Sequence, residues 1–513
     1  VTGPTDVAVE VARWLRGVLA PGAALVADSR TVARGDAFFA WPGGRVDGRR
    51  FVDQALARGA AALVVEPGAA PVARWPVPHR DVAGLRRLAG PIADAYFDAP
   101  SARLEVVAIT GTNGKTSCSQ WVAQGLDAPG RRAAVVGTIG AGFADALVDT
   151  GLTTPDALSL QALFARFAAG GAAAVAIEAS SIGLAQHRLD GTRIAVAVFT
   201  NLTRDHLDHH GTMADYAAAK ARLFGWPGLR AAVVNLDDPA HATMLAAVAP
   251  GVRRIGYAVE PPAAAGGSPA CAMTSGAVDR CLLATSVETG AAGMRVALDG
   301  DFGRASLATP LLGRFNVSNL LAVAGAWLAL GMPFDAVVAR LGALRPVPGR
   351  LQAVAGPAGT PLAVVDYAHT PDALAGAIEA LRPVARSRGG RLWCVFGAGG
   401  DRDAGKRALM AAVAERLADR IAITSDNPRS EPPEAILDAI EAGLAAPPAL
   451  READRALAIA GVIARAAPAD VVLIAGKGHE PYQEIAGVRH PFADAEHAAR
   501  ALERRAAAEA AGA

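Results

Sequence analysis

The sequence predicts an α/β protein of three domains built on mainly parallel sheets. Length is the first sign: 513 residues exceed a single core, and at about 150 residues per domain they imply roughly three. The second is a set of short apolar runs through the middle of the chain. These are "LEVVAIT" (104–110), "RAAVVGTIG" (132–140), "AAVAIEAS" (173–180), "RIAVAVFTN" (193–201) and "RAAVVNLDD" (230–238), with helical stretches between several of them. Runs of this kind, rich in β-branched residues, form strands buried on both faces by helices. A similar series fills the C-terminal third: "LAVVDYAHT" (362–370), "RLWCVFGAGGDRD" (391–403), "RIAITSDNPR" (420–429) and "VVLIAGKGHE" (471–480). Ligands of such sheets bind beyond the carboxyl ends of the strands, so chemistry is expected directly after each run.

Taken in order, residues 1–100 form a smaller α/β domain joined by "PIADAYFDAPSAR" (91–103) to a central domain, 101–345. "LRPVPGR" (344–350), with two prolines and a glycine, is expected as a hinge into the C-terminal domain, 346–513, which has a Rossmann-like strand and helix alternation. Residues 256–310 read as a peripheral β element or loop without chemistry. No period of repeat length is present.

A net charge of +1, with 52% apolar and 19% charged residues, argues against a polybasic surface for nucleic acid or anionic lipid. No apolar run is long enough to span a membrane, and the first residues lack a signal-peptide layout, so a cytoplasmic location is expected. The four cysteines, Cys118, Cys271, Cys281 and Cys394, form no C-x-x-C pair and are expected as reduced, structural thiols. "SDNPRSE" (425–431) has turn-forming residues around an arginine.

After the first central strand comes "ITGTNGKTS" (109–117). A Gly-rich turn entering a helix presents backbone N–H groups and the positive end of the helix dipole to phosphates. Ile109 stands where the strict phosphate-loop pattern has its first glycine, so the form here is the shorter T-G-T-N-G-K-T. Lys115 is placed to reach terminal phosphates and Thr116 to ligate Mg2+. The ends of later strands supply Glu178 and, from "TNLTRDHLDHHGT" (200–212), Asp205, His206, Asp208, His209 and His210. Carboxylates and imidazoles around phosphate oxygens suit Mg2+ or Mn2+ better than zinc.

"TGTNGKT", "EASS", "TNLTRDHLDHHGT…YAAAKARLF", "GRFNVSN" and "VDYAHTPDAL" together resemble the Mur ligases, in that family's order and over essentially the whole chain. The family forms amide bonds with ATP to build the peptidoglycan stem peptide. The resemblance implies an acyl phosphate, made from a carboxylate and the γ-phosphate of ATP, and its displacement by an amine. It implies ATP contacts at Gly111, Thr112, Asn113, Gly114, Lys115, Thr116, Asn319, Arg350, Asp366 and His369. Metal contacts are implied at Thr116, Glu178, His206 and Lys220 for two Mg2+ ions, with Mn2+ as an alternative; Lys220 would serve as a carbamate. Lys115, Glu178, His206 and Lys220 are thus the implied catalytic set. From spacing alone, Lys220 in "YAAAKARLF" reads as a solvated lysine on an Ala-rich helix.

"DSRTVARGDAFFAWPGGRVDGRRF" (28–51), which contains Ser29, resembles the uridine-binding segment of the ligase that adds the third residue. Thr153 and Thr154 in "TTP", with Ser180, Gln186 and Arg188 in "SSIGLAQHRL", resemble the segments that hold the nucleotide-sugar substrate. Ile182 stands there where a histidine is common. Asp426-Asn427-Pro428-Arg429 matches the D-N-P-R of members that add meso-diaminopimelate, and Arg402, Gly476 and Glu480 resemble its other contacts. Ala398 and Ala408 replace a common cysteine and proline, and neither change removes a charge. Arginine suits the distal carboxylate that distinguishes diaminopimelate from lysine. The implied partners are UDP-MurNAc-L-Ala-D-Glu, meso-diaminopimelate and ATP, acting on a monomer that closes around residues 344–350. A lysine-adding relative, a folylpolyglutamate synthase, a phosphate-loop switch protein and a structural scaffold are the rival readings, the last leaving the strand-end motifs unexplained.

Overall fold

The computed structural model describes residues 4–44, 46–68, 75–144, 146–259, 276–290 and 293–512. The chain separates into two compact units. The first holds Val1–Leu283, Asp299–Gly303 and Ser318–Val337, and the second Ala284–Leu298, Arg304–Val317 and Val338–Ala513.

The first unit opens with four parallel strands in sequential order: Leu25–Val26, Ala37–Ala40, Ala62–Val65 and His79–Asp81. "AFFA" is buried on both faces because its side chains alternate. Phe39 joins the cluster under the helices Pro4–Val18 and Leu85–Tyr96, while Phe38 joins the opposite cluster with Val52 and Ala55. Leu85–Tyr96 also packs on the helix Ala157–Ala169, whose Leu158 lies in the same core as Phe39. At Gly90 a side chain would meet the Asp190 carbonyl at 1.8 Å. That close backbone approach helps make the N-terminal and central segments one compact body.

The central sheet runs Arg253–Val259, Ala231–Asn235, Val196–Phe199, Glu105–Thr110, Ala172–Glu178, Arg132–Gly137, Gly140–Phe143 and Ala146–Val148. Strands are parallel up to Arg132–Gly137 and antiparallel in the last two pairs. Glu105–Thr110 therefore sits in the interior, and the glycine loop leaves its carboxyl end. The following helix, Lys115–Leu126, is buried along most of its length. Gly125 is required there: the Trp327 ring lies 1.9 Å from where a Cβ would stand, and its indole N–H donates to the Val122 carbonyl at 3.2 Å.

Of the two expectations for 256–310, a peripheral β element or a loop, the described residues show the β element. They include the strands Arg280–Gly290, Gly293–Gly300 and Ala305–Thr309, the last two antiparallel. The thiol expectation holds for Cys118 and Cys394, which are free and buried. It fails at Cys281, which is disulfide-bonded, because cysteine spacing by itself does not disclose pairing; Cys271 lies outside the described residues.

The second unit has a six-stranded sheet ordered Gln352–Val354, Leu362–Asp366, Val471–Ala475, Leu392–Phe396, Arg420–Ile423 and Leu450–Arg451. All pairs are parallel except the Gln352–Val354 edge. The helices Pro371–Ser387, Gly405–Leu417 and Pro433–Glu441 cover one face, and Arg455–Arg465 and Asp494–Gly512 the other. The last long strand, Val471–Ala475, inserts between the first two long strands of the series. Its carboxyl end thus comes beside those of Leu362–Asp366 and Leu392–Phe396.

Candidate active site

The glycine loop is shaped by what it cannot accommodate. Gly111 (φ 153°) lies so close to Thr200 that a Cβ would sit 1.8 Å from Oγ1, and Gly114 (φ 86°) faces Asn319 Oδ1 at 2.4 Å. Positive φ at both positions and the absence of space leave only glycine. The "TNLT" segment anchors the loop: Thr112 N donates to Asn201 O at 2.8 Å and Asn113 N to Asn201 Oδ1 at 2.9 Å. Lys115 Nζ donates to the carbonyls of Gly111 (2.9 Å) and Thr112 (2.8 Å), so its ammonium is held over the loop.

Glu178 ends its strand 1% exposed. Its Oε2 accepts from Thr116 Oγ1 at 3.1 Å and Thr138 Oγ1 at 3.2 Å, and its Oε1 accepts from Thr138 N at 2.8 Å. Gly137 makes room, since a Cβ there would stand 2.2 Å from Oε1. A buried carboxylate with hydroxyls but no cationic side chain on it, among the described residues, is a donor set that a hard divalent cation fits. Thr138 Oγ1 lies 3.0 Å from Thr153 Oγ1, and Thr154 Oγ1 donates to the Glu178 carbonyl at 2.6 Å and sits 2.9 Å from Ser180 Oγ. Arg188 then donates to Thr154 O at 2.7 Å and to Gln186 Oε1 at 2.7 Å. One hydrogen-bonded chain therefore joins Thr116 of the glycine loop to Arg188. Thr138, which branches from Glu178 to Thr153, was not anticipated, and no residue-type signal marked it.

Gln186 and Arg188 line a cavity of about 190 Å³ with Trp41, Arg86, Leu152 and Asp156. Ser29 is not part of this wall; it is buried, and its hydroxyl donates to Gln54 Oε1 at 2.6 Å. Asn319 is buried against the loop, within 3.7 Å of the Cys118 thiol.

Lys220 overturns the reading from spacing. It is 1% exposed, with Nζ 4.3 Å from the centroid of the Tyr216 ring. Burial pushes its ammonium well below the usual range, Lys115 adds to that, and Asp205 opposes it. The amine is thus biased toward its neutral, nucleophilic form. His206 takes a left-handed conformation (φ 51°) and places Nε2 3.4 Å from Asp205 Oδ2. His210 is instead 3.0 Å from Ser181 Oγ. Among the described residues no group of three or more His, Cys, Asp or Glu side chains is arranged to hold a metal ion.

In the second unit, Asp366 accepts from Leu351 N and Ala368 N, both at 2.8 Å. Burial raises its pKa, with Arg350 pulling the other way. The Arg350 guanidinium stacks 4.7 Å from the Tyr367 ring, and the His369 carbonyl accepts from Lys406 Nζ at 3.0 Å.

The D-N-P-R turn is present but is pinned more firmly than a surface turn. Arg429 has φ 53°, its N–H donates to Glu484 O at 3.0 Å, and its carbonyl accepts from Ala486 N at 2.7 Å. Its Nη1 donates to Gly400 O at 2.8 Å. Gly400 must lack a side chain, because the Pro428 carbonyl lies 1.8 Å from the Cβ position. Gly476 (φ 120°) likewise lies against the Asp426 carboxylate, 2.4 Å from the Cβ position. Asn427 donates to Glu480 Oε2 at 2.8 Å. Arg402 is exposed on the neighbouring loop. Asp426, Asn427, Arg429, Gly476 and Glu480 therefore follow the carboxyl ends of Arg420–Ile423 and Val471–Ala475, the two strands that flank Leu392–Phe396.

Sequence reasoning passed over three residues here. Lys477 is fully buried against Asn427 and Glu480. Arg407 pairs with Glu431 at 2.8 Å, and Glu431 in turn accepts from Asp401 N at 2.6 Å. Arg455 is buried with Asp494. Lys477 stood in the quoted "GKGHE"; the other two look like ordinary helix and turn charges in sequence.

Three family models match in chain order: "Mur ligase family, catalytic domain" at 23–95, "Mur ligase middle domain" at 109–327, and "Mur ligase, glutamate ligase domain" at 349–478. The chain belongs to the Mur ligase family of ATP-dependent ligases. Within that family it is similar to the UDP-N-acetylmuramoyl-L-alanyl-D-glutamate–2,6-diaminopimelate ligase of Ralstonia nicotianae, at 50% identity covering 95% of both chains. The enzyme of that name from Pseudomonas aeruginosa is 49% identical, covering 93% of this chain and 94% of its own. A solved structure under the same name superposes with a TM-score of 0.66 at 36% identity, covering 93% and 94%. Crystals of MurF from Thermotoga maritima in complex with ADP share the fold at a TM-score of 0.58 and 18% identity, covering 95% and 98%. No helix among the described residues is long and apolar enough to cross a membrane.

Proposed function

We propose that this ligase joins meso-diaminopimelate to the D-Glu of UDP-MurNAc-L-Ala-D-Glu in peptidoglycan precursor synthesis, as a cytoplasmic monomer. The observation that carries the choice of amine is the Asp426–Arg429 turn. Its left-handed Arg429 is fixed by backbone bonds to Glu484 and Ala486, and Asn427 of the same turn donates to Glu480 Oε2 at 2.8 Å. A guanidinium next to a carboxylate complements a zwitterionic head group. L-Lysine, which lacks the distal carboxylate, would set its ammonium against Arg429, a mismatch that costs several kcal/mol in a closed cleft, on the order of 10²-fold or more.

ATP is held by residues 111–116, with Lys115 stabilising charge on the transferred phosphoryl group. Asn319, Arg350, Asp366 and His369 complete its contacts. The acceptor lies along Thr153, Thr154, Ser180, Gln186 and Arg188, with its uridine toward Ser29. The Glu178–Thr138 link keeps its carboxylate in register with the loop. Thr116, Glu178, His206 and carbamylated Lys220 would hold Mg2+, two ions in this reading, which supply charge neutralisation on phosphate oxygens when bound. The neutral bias at Lys220 favours the carbamate, since only an unprotonated amine attacks CO2. Functionally the chain divides as 1–100 for the uridine nucleotide, 101–345 for ATP and 346–513 for the amino acid.

Phosphate release from ATP, followed with the UDP-linked acceptor and meso-diaminopimelate, L-lysine or no amine, tests this reading. Turnover with diaminopimelate alone is expected. Equal turnover with L-lysine, or hydrolysis without amine, refutes it. For Lys220, intact-mass analysis in bicarbonate is expected to show a carbamate, and an active enzyme carrying only the free amine refutes that assignment.

A further inference from the structure

Beyond Val471–Ala475 the backbone turns through Gly476 and Gly478, both at positive φ (120° and 55°), and folds Lys477 and Glu480 back onto Asn427. Lys477 has no exposed side-chain surface. Its Nζ donates to Asn427 Oδ1 at 3.0 Å and to Glu480 Oε2 at 2.9 Å. The same Oε2 accepts from Asn427 Nδ2 at 2.8 Å, and Asn427 Oδ1 also accepts from Glu484 N at 2.9 Å.

Counting donors and acceptors fixes what remains for a ligand. Asn427 Oδ1 already serves two donors and is filled. Glu480 Oε2 receives two donors, while Oε1 receives none among the described residues, on a side chain 20% exposed. One oxygen of Glu480 is thus tied down and the other is presented. A free glutamate has three rotors to freeze before it can meet a cation; here that ordering is done by the fold.

We propose that Lys477 is a positioning residue for amine recognition: it locks Glu480 so that Oε1 meets the second ammonium of the amino-acid substrate. This rests on the functional reading above. Lys477 touches no substrate itself, and its effect should appear as discrimination between amines that possess or lack that second ammonium.

The test compares meso-diaminopimelate with 2-aminopimelate, which keeps both carboxylates and one reactive amine but lacks the other. The parent enzyme is expected to favour diaminopimelate. No turnover of diaminopimelate by the parent overturns the functional reading and this inference together. With a turning-over parent, Lys477→Met is expected to lower the ratio of the two kcat/KM values by about tenfold or more, with KM for ATP unchanged. Lys477→Arg should restore part of the ratio. An unchanged ratio, or equal losses on both amines, overturns the inference while leaving the functional reading in place. If Lys477→Met does not fold, the uncharged pair Lys477→Met/Glu480→Gln is compared with Glu480→Gln alone. Equal discrimination in the two supports the inference, and a further loss in the double variant overturns it.

Discussion

Replacing Arg455 by methionine is expected to loosen the amino-acid end of the second unit without touching any ligand contact. Arg455 and Asp494 are both fully buried, and the guanidinium donates to the two carboxylate oxygens at 2.7 Å each. It also donates to Ser425 O at 3.1 Å and Ala475 O at 3.0 Å. These carbonyls lie immediately before Asp426 and Gly476, so one side chain ties together two strand ends that carry the site. Burial works against the charge of Arg455, and Asp494, with Asp426 and Glu480, more than offsets it, leaving the pKa raised. Removing the guanidinium strands a buried carboxylate and two carbonyls, at a cost of about 3–5 kcal/mol. At 1.4 kcal/mol per decade that is a rise in hydrogen exchange of about two to three and a half decades. The rise should be confined to peptides spanning 420–427 and 471–477. Amide exchange followed by mass spectrometry on the intact protein, with the glycine-loop peptides as internal control, reads this directly. Arg455→Met/Asp494→Leu should recover most of the protection, because a matched apolar pair leaves no unpaired charge. A change below about tenfold in the single variant, or no recovery in the double, would refute the reasoning.

Glu178→Gln keeps size and removes charge at the buried carboxylate, so turnover should fall by about 10²-fold or more in the phosphate-release assay; activity within about threefold of the parent excludes a cation role. Gly137→Ala should act through the same carboxylate, because its Cβ would stand 2.2 Å from Oε1, and unchanged turnover would show that the site tolerates displacement of Glu178. Arg429→Ala and Arg429→Lys should raise KM for diaminopimelate by about tenfold or more with KM for ATP unchanged; parallel changes in both would point to a folding defect. Burial pushes the Asp94 carboxyl up to about 6, against an opposing pull from Arg193, and its Oδ1 is buried without a hydrogen-bond partner among the described residues. The folded state therefore holds a proton that the unfolded chain releases, and this stabilisation is full below the unfolded value of 3.8 and lost as pH rises through about 6. Asp94→Asn should flatten that slope in thermal melts, and an identical slope would show that Asp94 does not titrate in this window.

The sequence by itself determined the sheet class, the positions of the strand ends and the glycine loop. Those depend on local signals: apolar runs of strand length, and glycine where a phosphate loop requires it. It also marked the D-N-P-R turn, because Asn and Pro carry turn chemistry locally. It misjudged Lys220, since an Ala-rich helix offers no apolar stripe to say which face is buried; only packing against Tyr216 does that. The strand character of 280–309 was diluted by flanking Gly and Ser. Thr138, Arg455 and Lys477 were illegible for a common reason. Their partners lie 40, 39 and 50 residues away in the chain (Glu178, Asp494 and Asn427), brought near by sheet order. Composition and spacing report what a residue can do. Which groups it is held against, and so which of its hydrogen bonds remain for a ligand, was decided only when Val471–Ala475 took its place between the strands Leu362–Asp366 and Leu392–Phe396.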